Sequence, residues 1–310
     1  MLRCEKSNAG RVCQSNGLLG NNSKDGFMWA GSHEYGATDS AQTCPETTSR
    51  QNVFDDAGFF RAYLEFREAD EGFNTAMEEP AISGLLPDVA GLRVIDLGCG
   101  RGKLCRRIAS TAAQVIGVDC SERMLALAES ESSGFEKTLQ YRRCFIEEFD
   151  APDGSIDLVV SSMALHYVEN IELVFGKIAR WLSPRGVFIF SVEHPIFTAG
   201  PREWMAHSDC RKAWAVADYS QEGVRVVPWL GRNVLKHHRT FATILNALLH
   251  HGFAVSRCVE PRCDEMTLAA RPDAALENQR PAFLIMQCRA IGKWRVGKRT
   301  SEDAPGSGNE

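Results

Sequence analysis

Excess positive charge is missing from this chain: 35 lysines and arginines stand against 40 aspartates and glutamates, a net charge of -5. That balance supplies no basic field of the kind on which nucleic-acid affinity rests, so no nucleic-acid partner is expected. No stretch approaches the ~20 consecutive apolar residues that a membrane span needs, so no membrane partner is expected either. Met1–Lys6 has charges but no apolar core behind them, which gives no expectation of a secretory signal. Eleven cysteines are present without a single Cys-x-x-Cys pair, and no histidine spacing around Cys258 and Cys263 suggests zinc, so no metal is expected. Cys99, Cys120, Cys144 and Cys288 fall within or beside expected strands and helices. They read as small buried hydrophobes of a reducing cytosol, and a cytoplasmic location follows as an expectation.

What is present is an ordinary globular composition, 44% hydrophobic and 24% charged over 310 residues. Residues 1–50 are rich in Gly, Ser, Asn and Thr without hydrophobic periodicity and read as a disordered extension, as does the tail over 291–310. Between them, residues 54–290 carry a domain pattern organised around Val94-Ile95-Asp96-Leu97-Gly98-Cys99-Gly100-Arg101-Gly102. An apolar run ends in an acid, three glycines alternate, and a helix is expected from Leu104 to Ala109. Strand, tight turn and helix in this order present backbone N–H groups to a nucleotide-like ligand. Glycine is needed there for the sharp turn and for close approach of that ligand. A second expected strand, Gln114–Val118, ends in Asp119, about 20 residues beyond the first glycine, where an acid can accept both ribose hydroxyls. Ser121 then caps a helix carrying Met124, Leu125, Leu127 and Ala128. Further strands are expected at Leu139–Phe145, Ile156–Ser161, Val187–Val192, Phe253–Val259 and Ala282–Arg289. Amphipathic helices are expected around Phe59–Arg67, Leu173–Leu182 and Lys236–Leu249. Ser183–Gly186 is the expected stop after the second of these.

Asp96-x-Gly98-x-Gly100-x-Gly102 followed by Gly117-Val118-Asp119 resembles the class I S-adenosylmethionine (SAM) dependent methyltransferases. Within them the chain is most similar to the small-molecule, ubiquinone-biosynthesis-like group (methyltransferase type 11). Ser161-Ser162-Met163-Ala164-Leu165-His166-Tyr167-Val168 agrees with that group and not with the Asp/Asn-Pro-Pro-Tyr segment of base-methylating enzymes. The resemblance implies an α/β, Rossmann-like seven-stranded sheet, with the last strand antiparallel between the fifth and sixth. It also implies SAM as cofactor, with S-adenosylhomocysteine as its product. Carried over residue by residue, the cofactor set is Asp96, Gly98, Gly100, Asp119, Cys120, Met124 and Ser161. Tyr63 and Arg67, on a helix that closes over the pocket, are expected at the methionine carboxylate; the alternatives are a core aromatic and a solvated charge. Relatives place an Asp at the end of the third strand, where this chain has Phe145. Adenine then falls to stacking, to backbone at Ile146, or to Glu147.

The acceptor side is less determined. Glu193 and His194, at the carboxyl end of the fifth strand, are the first candidates for a general base, with His166 as second. The other reading of His194 is a hydrogen bond that fixes the turn before Pro195. Asn74 and Glu78-Glu79 are expected to face the substrate, as is Tyr167. Residues 195–236 bring Trp204, Trp214, Tyr219 and Trp229 together with Arg202, Arg211, Arg225 and Arg232. They read as a substrate lid, or else as a satellite core or a dimer contact. Relatives show a run similar to Lys236-His237-His238-Arg239-Thr240, so His238 and Arg239 are expected either toward substrate or as the charged surface of a helix start. The activity implied is methyl transfer to O, N or C of a small-molecule acceptor by in-line displacement, with oligomer formation left open. The alternatives are a non-catalytic SAM-binding sensor or partner, a protein or tRNA methyltransferase, and a nicotinamide oxidoreductase. The last is disfavoured by Lys103 where a third dinucleotide glycine belongs.

Overall fold

The computed structural model describes residues 50–70, 72–206 and 212–291. The expected extension over 1–50, apart from Arg50, and the expected tail beyond residue 291 lie outside the described residues. After a short turn at Val53–Asp55, helix α1 (Ala57–Glu68) starts where the Asp56 carboxylate accepts from the N–H groups of Gly58 and Phe59. A π-turn over Asn74–Glu78 leads into α2 (Glu79–Leu85). Then come β1 (Arg93–Leu97), α3 (Lys103–Ala109), β2 (Gln114–Asp119), α4 (Glu122–Ser130), β3 (Leu139–Arg143), β4 (Ile156–Ser161) and α5 (Ile171–Trp181). Strand β5 (Leu182–Glu193) is followed by the four-residue α6 (Pro195–Thr198) and by two short antiparallel pairs. These are β6 (Trp204–Ala206) with β7 (Lys212–Trp214), and β8 (Gly223–Trp229) with β9 (Arg232–His238). The chain closes with α7 (Phe241–His250), β10 (Phe253–Val259), α8 (Glu265–Ala270) and β11 (Phe283–Ala290).

Seven strands form one sheet in the order β10-β11-β5-β4-β1-β2-β3, with β11 antiparallel to both neighbours and the rest parallel. The last strand, β11, lies antiparallel between β5 and β10, the fifth and sixth strands of this sheet, as the family resemblance implies. Alternate side chains divide between two cores, as a sheet covered on both faces requires. Ile95, Leu97, Val159, Phe188 and Phe190 pack with Phe175, Ile178 and Trp181 of α5 and Leu248 of α7. Val94, Val115, Leu158, Val160 and Ile189 pack on the opposite face with Cys105 and Ile108 of α3 and Ile82 of α2. All the parallel strands therefore point their carboxyl ends to one edge, where a ligand cleft is expected.

Three local expectations change. Strand β3 stops at Arg143, so Phe145 sits in the loop beyond it. Ser183–Gly186 does not stand outside the sheet; it is a bulged start of β5, whose pairing with β4 jumps from Leu182 to Val187. Lys236–His238 does not open a helix: these residues end β9 with their side chains buried, and α7 begins only after the Thr240 cap, which accepts from the Thr243 N–H. Among the described residues no helix is long and apolar enough to cross a membrane.

Candidate functional site

The Gly98–Gly102 turn leaves β1 in left-handed backbone, with φ of +75° at Gly98 and +52° at Gly100. A Cβ on Gly98 would lie 2.2 Å from the Ala164 methyl, so only glycine fits there. A Cβ on Gly100 would meet nothing within 4 Å, because that position faces an open cavity. Asp119, at the end of β2, closes the turn: its carboxylate accepts from the N–H of Gly100 at 2.9 Å and from the N–H of Ser121 at 2.9 Å. Burial raises the Asp119 pKa against those two hydrogen bonds. The segment before α1 covers this end, since Asp55 accepts from the Ser121 hydroxyl and Asn52 donates to the Cys120 carbonyl.

The cavity has a volume of about 550 Å³. One end is lined by Gly98, Gly100, Asp119, Cys120, Met124, Phe145, Ile146 and Glu147. The Phe145 ring carries the Arg50 guanidinium 5.6 Å above its centre. The middle is lined by Tyr63, Arg67, Glu79, Lys103 and Asp96. Glu79 bridges the Arg67 guanidinium at 2.9 Å and the Lys103 ammonium at 2.6 Å. Burial pushes the Asp96 pKa up to about 7; one of its oxygens accepts from the Cys105 thiol and the other has no partner among the described residues. The far end is lined by Asn74, Glu78, Ser162, Met163 and Tyr167.

A glycine cradle open to the cavity, a carboxylate at the end of β2 and a pocket between them fit a nucleoside with an amino-acid tail. The comparisons agree with that geometry. A family of methyltransferase domains matches residues 95–190. The solved structure of an S-adenosylmethionine dependent methyltransferase from Mesorhizobium loti is 42% identical and covers 68% of this chain and 96% of that one, with a TM-score of 0.65. An uncharacterized protein of Haemophilus influenzae is 34% identical over 257 residues, 78% of this chain and 98% of that protein. The chain belongs to the class I SAM-dependent methyltransferases. A ubiquinone biosynthesis O-methyltransferase of Bradyrhizobium diazoefficiens is 34% identical over 103 residues only, 40% of that protein.

This methyltransferase gathers nearly all of the expected cofactor set around one cavity: Tyr63, Arg67, Asp96, Gly98, Gly100, Asp119, Cys120, Met124, Ile146 and Glu147 line it, and so does Tyr167 from the expected acceptor set. Ser161 does not; its hydroxyl is buried and donates to the Leu97 carbonyl, tying β4 to β1.

The expected bases also lie away from the cavity lining. His194 caps α6 by accepting from the Ile196 N–H at Nδ1, and its Nε2 meets Glu260 at 2.9 Å. This is the turn-fixing alternative. Glu193 is held between the Lys236 ammonium at 2.5 Å and the Arg202 guanidinium at 2.6 Å. Burial alone would raise its pKa, but those two cations outweigh burial and keep Glu193 ionised. His166 is buried beside Tyr167, with its pKa lowered to about 3 by burial.

Four expected acceptor residues have structural partners instead. His238 sits between the Thr198 hydroxyl and the Tyr219 carbonyl, and Arg239 donates to the carbonyls of Val168 and Glu169. Trp204 packs edge-on against Trp214. Trp229 lies against Phe59, Tyr63 and Phe66 of α1, docking the β8–β9 hairpin on the helix that walls the cavity. Sequence reasoning missed Lys236 altogether. Its ammonium neutralises Glu193 and stands 4.9 Å from the centre of the Trp229 ring and 5.7 Å from that of Tyr167. Lys236 stood in a run that read as the charged start of a helix, and its partner Glu193 is distant in sequence.

Proposed function

We propose that this methyltransferase acts on an O, N or C atom of a small-molecule acceptor, with the reaction taking place at the Glu78–Tyr167 end of the cavity. The observation that carries this is the cavity itself: at about 550 Å³ it falls in the range of small-ligand sites, roughly 300–1,000 Å³. Asp119 would hold the ribose hydroxyls, and Gly98 and Gly100 would let the nucleoside approach the backbone. Tyr63 and Arg67 would meet the methionine carboxylate, for which Arg67 keeps donors beyond the one engaged by Glu79. Phe145, Ile146 and Glu147 supply an apolar face, backbone and a carboxylate for adenine where relatives use an Asp.

Bound SAM supplies a methyl group already made electrophilic by the sulfonium charge. The protein's part is then to position the acceptor and to exclude water. The β8–β9 hairpin supports a lid reading of residues 195–236: its Trp229 packs edge-on against Tyr63 of α1, which lines the cavity. Transfer of labelled methyl from SAM is the test, run against a small-metabolite extract and, in parallel, against total protein and tRNA. Label in the small-molecule fraction is the expected result. Label confined to protein or tRNA would overturn the reading.

A further inference from the structure

None of the three groups first expected as bases lines the cavity, yet the cavity does contain an unpaired carboxylate. Glu78 is 1% exposed and sits at the end of the π-turn that runs from Asn74. Insertions of this kind in helices recur at functional sites. The turn is entered through Phe73 in left-handed backbone at φ +54°, with the Arg271 guanidinium 4.0 Å over its ring. A large non-glycine residue in that conformation is held there by its surroundings, and such residues cluster at active sites. Facing it is a second left-handed residue, Met163 at φ +53°, which follows Ser162 beyond β4.

One oxygen of Glu78 joins these segments. Oε1 accepts from the Ser162 hydroxyl at 2.8 Å and from the Ser191 hydroxyl at 2.5 Å, while the Ser191 oxygen accepts from the Met163 N–H at 2.9 Å. The other oxygen, Oε2, has no hydrogen-bond partner among the described residues, and Glu78 makes no ion pair among them. Arg67 is engaged by Glu79 instead. Asn74, 8% exposed, lines the same cavity and its amide likewise has no partner among the described residues. Two donors on Oε1 fix the plane of the carboxylate and leave Oε2 as the acceptor presented to a ligand.

We propose that Glu78 receives the proton of the methyl acceptor: a hydroxyl or amine group of the acceptor donates to Oε2, and its proton passes there during methyl transfer. This rests on the methyltransferase reading of the cavity and narrows the acceptor to one with an O–H or N–H at the reacting atom. The acceptor heteroatom forms the new bond to the methyl carbon. The sulfur keeps the electron pair of the broken carbon–sulfur bond and becomes a neutral thioether, and the proton passes from Oε2 on to water. Burial raises the Glu78 pKa, opposed by the two serine hydroxyls, which moves the carboxylate toward the proton affinity a base needs. Removing a proton from the acceptor is the one step that methyl-donor binding does not supply.

The test needs no identified acceptor. Sinefungin carries a charged amine where SAM carries its methyl; S-adenosylhomocysteine has nothing there. Calorimetric titration of the full chain is expected to show sinefungin bound about tenfold or more tighter than S-adenosylhomocysteine (about 1.4 kcal/mol). In Glu78→Gln that preference is expected to vanish while S-adenosylhomocysteine affinity stays within about twofold of wild type. Glu78→Asp, which keeps the charge, should retain part of the preference, and Glu78→Ala serves where the glutamine variant does not fold. An unchanged preference in the folded variants, or an equal loss of both ligands, would overturn the proposal. Failure of the wild type to bind either ligand would instead overturn the methyltransferase reading of the cavity on which it rests.

Discussion

At the nucleotide end of the cavity, Gly98, Gly100 and Asp119 come from one strand–turn–helix and the strand beside it, and backbone groups do most of the work. At the acceptor end, Glu78, Ser162, Met163 and Tyr167 come from a π-turn, the end of β4 and the loop that follows. Side-chain bonds across long sequence separations hold them. The first end is a local motif with conformational requirements that name their residues. The second is an assembly whose members acquire meaning only once the chain has folded. Behind the acceptor end, a buried ion cluster of Glu193, Lys236 and Arg202 ties the β8–β9 hairpin to the central sheet.

The two ends should respond differently to substitution. The largest effect is expected from Lys236→Met, which removes one of the two cations that hold the buried Glu193. Breaking a buried pair costs about 3 kcal/mol or more, and denaturant unfolding would measure it. Because the lysine lies outside the cavity lining, S-adenosylhomocysteine affinity measured well below the melting temperature should stay within about twofold of wild type.

Next comes the glycine turn. Gly98→Ala must place a methyl 2.2 Å from the Ala164 Cβ as well as hold left-handed backbone, and a loss of about 2 kcal/mol or more in stability is expected. Gly100→Ala meets only the backbone cost, about 1 kcal/mol. Its new methyl projects into the cavity, however, so ligand affinity should fall more than stability does. Calorimetry and thermal melts on the same two variants separate these outcomes.

A pH effect is expected from Asp96. Burial raises its folded-state pKa to about 7 from the ordinary 3.8. Between those values the folded chain therefore binds more proton than the unfolded chain does. The contribution of Asp96 is fully present below its unfolded pKa and is lost as pH rises toward 7. Asp96→Asn should flatten the fall in stability over that window, checked by melts across pH. The smallest effect on ligand binding belongs to His194→Ala. It removes two hydrogen bonds from a turn, a stability cost of about 1–2 kcal/mol, and is expected to leave S-adenosylhomocysteine affinity unchanged in calorimetry.

These contrasts also explain what the sequence made legible. The nucleotide end follows from short-range signals: an apolar run, glycines at fixed offsets, an acid one strand later. The place of the last strand came only from the family resemblance, since no local pattern reports which strands pair. Asp119 and Gly100 could be named because their spacing is the mechanism. Glu193 and His194 were expected as bases because the carboxyl end of a central strand tells which edge a residue sits on. It does not tell which way the side chain turns. Glu193 turns to Lys236 and Arg202, and His194 turns to Glu260. Lys236-His237-His238 looked like a charged helix start because nothing local reports that Lys236 has a buried carboxylate 43 positions away. Glu78 was marked as facing the substrate by its place after the first helix. The serines that orient it come from β5 and the end of β4, and no pattern in the primary structure joins them.

The account depends most on the nucleotide end being a nucleoside site. Calorimetric titration of the full chain and of Asp119→Ala with S-adenosylhomocysteine tests that directly. The account predicts saturable binding by the wild type and affinity lower by tenfold or more in the variant, about 1.4 kcal/mol. Equal affinity in the two proteins would contradict it, because Asp119 would then have no part in holding the ligand.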